Sequence, residues 1–323
     1  MSRALLLAAA RWRAAGRHWL LRLGLSIAAA GLAVALSAPA AEPMQRDFAT
    51  AQQAVEAFIA AVRSDDQGEL LRILGSSGEP LIRSGDRVAD REARLRLVNA
   101  YDSAHRVEAE GANVATLIVG PEDWSLPIPL VKQGERWHFD TDASAKKIID
   151  RRIGRNELSV IEVCRAYVAA QREYASRDGL GDGVFQYAPK FDSTSGKHDG
   201  LYWEAKAGQE PSPLGPLVAH ARAEGYTAKD QLDHPLPYHG YFYRILTRQG
   251  SHAPGGAKDY FVGGHMTGGF ALLAFPAKWG DSGIMTFLVN QDGIVFEKNL
   301  GPETERLARE ITEYDPDLGW SAP

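Results

Sequence analysis

Cysteine is nearly missing from this chain: Cys164 is alone among 323 residues. A single thiol excludes an intramolecular disulfide, so the folded state must rest on its hydrophobic core, which a chain of this length can supply. Blocks of like charge and low-complexity tracts are also missing, which excludes a nucleic-acid-binding arm and a disordered tail. No serine sits in a Gly-x-Ser-x-Gly elbow, and no glycine run makes a phosphate-binding loop or a dinucleotide fingerprint. What is present is ordinary globular composition, 45% hydrophobic and 24% charged. At roughly 150 residues per domain, the length points to two domains.

The first forty residues stand apart. Arg3, Arg11, Arg13, Arg17 and Arg22 occur there with no acidic residue, and the uncharged stretch 23–36 leads into Ser37-Ala38-Pro39-Ala40-Ala41. A basic start, a short apolar core and small residues at the end predict a secretory signal over 1–40, cut near Ala41. The competing expectation is an uncleaved anchor, the one route by which this chain would hold to a membrane. No cysteine lies near the cut, which excludes a lipoprotein, and no twin-arginine pair precedes the core, which favours the general secretory route. Without those five arginines, 31 basic residues face 41 acidic ones, a net charge of −10. Binding to nucleic acid or anionic lipid through bulk charge is therefore not expected.

Periodicity predicts helices first and strands after. Val55, Phe58, Ile59 and Val62 share one face of a helix over 48–63. Asp66 with Glu69 opens a shorter helix, and a third covers 90–101. Strands follow at 105–110, 113–119, 128–132 and 136–140, joined by tight turns. A short helix over 143–152 leads into a basic connector, and Asn156 is expected to cap a new helix running to 177, with Cys164 a small hydrophobe on its apolar stripe. The stretch 178–233 is irregular apart from a short helix at 217–224. Then comes a meander with strands at 238–247, 260–262, 270–275, 284–290 and 294–298. Both faces of 238–247 are largely apolar, which predicts a central strand. Asn290-Gln291-Asp292-Gly293 is a hairpin signal, and Gly301-Pro302 opens a last helix. The order is that of an α+β protein with domains at 41–150 and 151–323.

Three resemblances follow from particular residues. The strand pair ending in Lys132-Gln133-Gly134-Glu135-Arg136-Trp137-His138-Phe139 resembles the close of a cystatin-like (nuclear-transport-factor-2-like) cone. A long helix, an irregular loop and the meander resemble the globular head of type IV pilins and pseudopilins, although no hydrophobic helix runs straight into the head as a filament requires. Lys197-His198-Asp199-Gly200-Leu201-Tyr202-Trp203, Pro211-Ser212-Pro213-Leu214-Gly215-Pro216-Leu217, Ala253-Pro254-Gly255-Gly256 and Gly269-Phe270-Ala271-Leu272 resemble the domain of unknown function 2950 family. That resemblance implies an exported protein of a Gram-negative bacterium, in the periplasm or beyond the cytoplasm, and implies no activity.

Histidines are the residues that invite chemistry. His198 beside Asp199 offers a base with an orienting carboxylate, and Asp233, His234 and His239 offer metal ligands. Against them, His234 and His239 have a gap typical of no zinc motif, and Pro235 and Pro237 prevent the helix that would align the pair. Tyr202, Trp203 and Trp279 are candidates to line a groove for a glycan or a peptide. No complete catalytic set emerges and no cofactor is implied. The expectation is an exported, non-enzymatic binding or interaction module whose partner is an envelope protein, a glycan or a peptide. A hydrolase or metal-assisted enzyme using the loop histidines is the alternative, and a secretion-system or pilus accessory is a third reading.

Overall fold

A computed structural model describes residues 45–206, 208–226 and 236–323. The segment 1–40, with its expected signal, lies outside the described residues, as do Asp233 and His234. Among the described residues, no helix is long and apolar enough to cross a membrane.

The first half packs helices on a curved antiparallel sheet. Helix α1 (Ala51–Arg63) is capped by the Thr50 hydroxyl and α2 (Gln67–Leu74) by the Asp66 carboxylate, which accepts from the Glu69 N–H. The short α3 (Glu79–Ile82) leads to α4 (Arg87–Ser103). Four strands follow, β1 (His105–Ala109), β2 (Val114–Val119), β3 (Leu130–Gln133) and β4 (Arg136–Phe139), paired in chain order, and the two-residue strand Trp124–Ser125 joins β2 as a fifth member. The apolar stripe of α1 (Val55, Phe58, Ile59) closes over Leu117, Leu130 and Phe139 in one buried cluster.

Helix α5 (Thr141–Ala175) then runs unbroken for 35 residues, where sequence periodicity had suggested two helices and a connector. The basic stretch 151–155 contains no proline, and its lone Gly154 is tolerated in a helix held at both ends by packing. Asn156 therefore caps nothing. It sits mid-helix, and its Nδ2 donates to the Ser282 carbonyl at 2.8 Å.

After α6 (Gly215–Ala223), the second sheet is a meander of β5 (Tyr241–Leu246), β6 (Ala271–Pro276), β7 (Met285–Asn290) and β8 (Val295–Asn299), in the order β8-β7-β6-β5. The predicted central strand is thus at the edge. Apolar residues on both faces of β5 report that both faces are covered and say nothing of how many neighbours it pairs with. The pairing is central in β6, where Ala271, Leu272, Leu273 and Ala274 are fully buried. The predicted strand at 260–262 splits into two-residue ladders outside this sheet, one pairing Lys258–Asp259 with Arg248–Gln249, the other pairing Phe261–Val262 with His265–Met266. The β7–β8 hairpin turns where expected, with Gly293 at φ +80° and the Asn290 side chain accepting from the Asp292 N–H. Helix α7 (Thr304–Glu310) closes the chain against β6. A second buried cluster joins Val160, Cys164, Tyr167 and Val168 of α5 to Leu272, Phe287 and Val289 of the sheet.

Candidate functional site

The two hydrophobic clusters meet along α5, and an open cleft of about 590 Å³ lies beside the junction. Its walls come from α4 (Asp90, Glu92), α5 (Arg152, Asn156) and the segment between α6 and β5.

The sequence builds this corner around a buried carboxylate. Asp86 begins α4 as its N-cap, with Oδ1 accepting from the Ala89 N–H at 3.0 Å. Only 2% of it is exposed, so its other oxygen must also be satisfied from within. Oδ2 accepts from the Tyr226 hydroxyl at 2.7 Å and from the Gly240 N–H at 2.9 Å. Burial, and then the neighbouring Asp86 charge, push the Tyr226 phenol far above its ordinary range, so this hydroxyl is a permanent donor.

Gly240 belongs to the tight turn Tyr238-His239-Gly240-Tyr241, closed by reciprocal backbone hydrogen bonds between Tyr238 and Tyr241. Both central residues have positive φ, +51° at His239 and +74° at Gly240, the signature of a type I′ turn. Glycine suits the second place for a further reason: a Cβ there would lie 2.6 Å from Asn156 Nδ2. The left-handed conformation of His239, uncommon for a residue with a Cβ, is held through its neighbour Gly240, whose amide bonds Asp86 and whose Cα packs against Asn156 of α5.

This turn brings His239 to the end of α6. His220 and Glu224 are four residues apart, the spacing that places two side chains on one helical face. Glu224 Oε2 lies 3.5 Å from His220 Nδ1 and 3.5 Å from His239 Nε2. One ligand atom from each of the three residues falls within 4.8 Å of the other two. Glu224 Oε2 is enclosed and accepts no hydrogen bond, and the Tyr238 hydroxyl stands 3.3 Å from His220 Nδ1. Burial lowers the His239 pKa, against the opposing pull of Glu224, and favours the neutral ring.

The other candidate residues lie elsewhere, each with its own partners. The His198 ring stacks on Trp203 with centroids 4.1 Å apart, and the Asp199 carboxylate takes Lys190 Nζ at 2.9 Å and the Thr194 N–H at 2.7 Å. Desolvation pushes the Asp199 carboxyl up, but Lys190 and the Thr194 donors outweigh it and hold it at about 2. The Trp203 indole donates to the Glu210 carbonyl, Tyr202 lies under the Arg222 guanidinium, and the Trp279 indole donates to Asn299 Oδ1. Cys164 is fully buried, which raises its thiol to about 12. Of the histidines singled out by sequence, His239 is the one brought to other ligand-type side chains among the described residues. Its companions His220 and Glu224 had a visible signal, a His-x₃-Glu pair at helical spacing, but His239 joins them only through the turn.

Fold and corner together define a class: an α+β protein with two main antiparallel sheets, one shared long helix and a cleft of mixed polar and apolar lining at their junction. The chain belongs to the family described as Protein of unknown function (DUF2950), whose model matches residues 45–322. No curated protein and no solved structure matches it.

Proposed function

We propose that this is an exported envelope protein that acts as a non-enzymatic binding module, taking a peptide-like ligand in the cleft beside α5. The observation that carries the reading is the wall of that cleft. Asp90, Glu92, Arg94 and Arg152 supply both signs of charge, and Leu81, Leu126 and the half-exposed Trp124 supply apolar surface. A ligand with alternating apolar and charged groups suits such a wall, whereas a polyanion does not. Export is supported by the basic, apolar and small-residue succession of the first forty residues. We read the layer of α1 on β1–β4 as cystatin-like and that of α5 on β5–β8 as pilin-head-like; helix-on-sheet packing in each half supports both readings.

The test is a binding screen of the purified protein against peptide and glycan libraries, repeated with Trp124→Ala and Arg152→Ala. Saturable peptide binding that weakens about tenfold or more in both variants is expected, as for anchor residues at an interface. Glycan binding alone would overturn the ligand class. Turnover across a hydrolase panel would overturn the non-enzymatic reading.

A further inference from the structure

At one edge of the cleft, where Glu224 and His239 form part of its wall, the cluster at the end of α6 has distances with a chemical meaning of their own. A carboxylate and an imidazole that bond directly sit at about 2.7–3.2 Å. Glu224 Oε2 sits 3.5 Å from each of two imidazole nitrogens, too far for either hydrogen bond. Two ligands on one tetrahedral ion, each about 2.0–2.1 Å from it, are about 3.3–3.4 Å apart. Both Glu224–imidazole distances therefore match groups gathered around a common centre, and the two imidazole nitrogens lie within 4.8 Å of each other.

The second observation is independent of spacing. Glu224 Oε2 is enclosed and accepts no hydrogen bond, a costly state for a carboxylate oxygen unless a cation faces it. The third is rigidity. His239 is fixed by a type I′ turn whose amide is tied to the buried Asp86, and His220 and Glu224 are fixed by one turn of helix. Ligands held in place before the ion arrives cost less to organise when it binds.

We propose that His220 Nδ1, Glu224 Oε2 and His239 Nε2 form a binding site for a divalent transition metal, with zinc the natural occupant. Two imidazoles and one carboxylate suit zinc far better than calcium or magnesium, which take oxygen ligands. Three protein ligands leave a fourth position on the ion; His220 is exposed, and the Tyr238 hydroxyl lies 3.3 Å from its Nδ1. Such an open position allows an exogenous donor to complete the coordination, which makes the site more than a structural staple. The site shares Glu224 and His239 with the cleft wall, but its three ligands are distinct from Trp124 and Arg152, so zinc binding and peptide binding can succeed or fail separately.

The experiment is calorimetric titration of ZnCl₂ into the purified, chelator-treated protein, beside His220→Ala, Glu224→Gln and His239→Ala, with circular dichroism and melting curves for every variant. One zinc per chain is expected, with each variant weakened about 100-fold or more while its dichroism stays that of the parent. Calcium chloride in place of zinc should give no saturable heat. Should His239→Ala fold poorly, His220→Ala decides, because His220 is exposed and its loss leaves the turn intact. Absence of saturable zinc binding, or binding that survives His220→Ala with Glu224→Gln, would overturn the proposal.

Discussion

Cys164 illustrates how burial decides the chemistry of a residue. Its side chain is fully buried against the second sheet, and desolvation holds the thiol at about 12, so almost no thiolate exists at neutral pH. The native protein should give less than a tenth of an equivalent of thiol to a disulfide reagent within minutes, and one full equivalent in 6 M guanidinium. Asp199 shows the opposite balance. Its carboxyl, held at about 2 by Lys190 and Thr194, lies below the ordinary 3.8. A depressed carboxyl contributes stability that is present above about pH 4 and lost as pH falls through 2. Asp199 is partly exposed, so solvent screening trims the effect, and Asp199→Asn should cost on the order of 1 kcal/mol in urea unfolding at pH 7 and nearly nothing at pH 2.

At the scale of elements, the turn Tyr238–Tyr241 controls where the site can form. Gly240 has φ +74°, its N–H binds Asp86, and Asn156 leaves no room for a Cβ. Gly240→Ala should combine left-handed strain with a steric clash and cost about 2 kcal/mol or more in denaturant unfolding. If the turn shifts, it should also weaken zinc binding in the titration above. Periodicity reads 238–247 as one strand, yet its first residues form this turn and the strand begins at Tyr241. What holds the turn is Asp86, 154 residues away in sequence, which leaves no local signal at Gly240. The edge position of β5 was hidden for a similar reason: pattern reports which faces are covered, whereas pairing is settled by which strand arrives beside it.

At the scale of the molecule, α5 is the member common to both halves. Ile148 packs on the first cluster and Val160 through Tyr174 on the second, while Arg152 reaches back to the Pro80 carbonyl at 2.7 Å. A helix continuous across both cores couples them, so thermal unfolding should be a single transition. Gly154→Pro would remove a helical hydrogen bond and clash with the preceding turn, at a cost of about 3 kcal/mol or more. Calorimetry of that variant should show two separate transitions; a single lowered peak would mean that the cores communicate by a route other than the helix.

The local elements were set by the sequence alone: the Asp66 cap, the apolar face of α1, the Asn290–Gly293 hairpin and the α+β order all follow from short-range periodicity and turn chemistry. His220 and Glu224 were likewise placed on one face by their four-residue spacing. Tertiary structure decided the rest. It continued α5 through a basic stretch that periodicity reads as a break, moved β5 to an edge, and carried His239 to His220 and Glu224. Each of these depends on contacts between residues far apart in the chain, and such contacts leave no period in the sequence because packing, rather than local geometry, selects them.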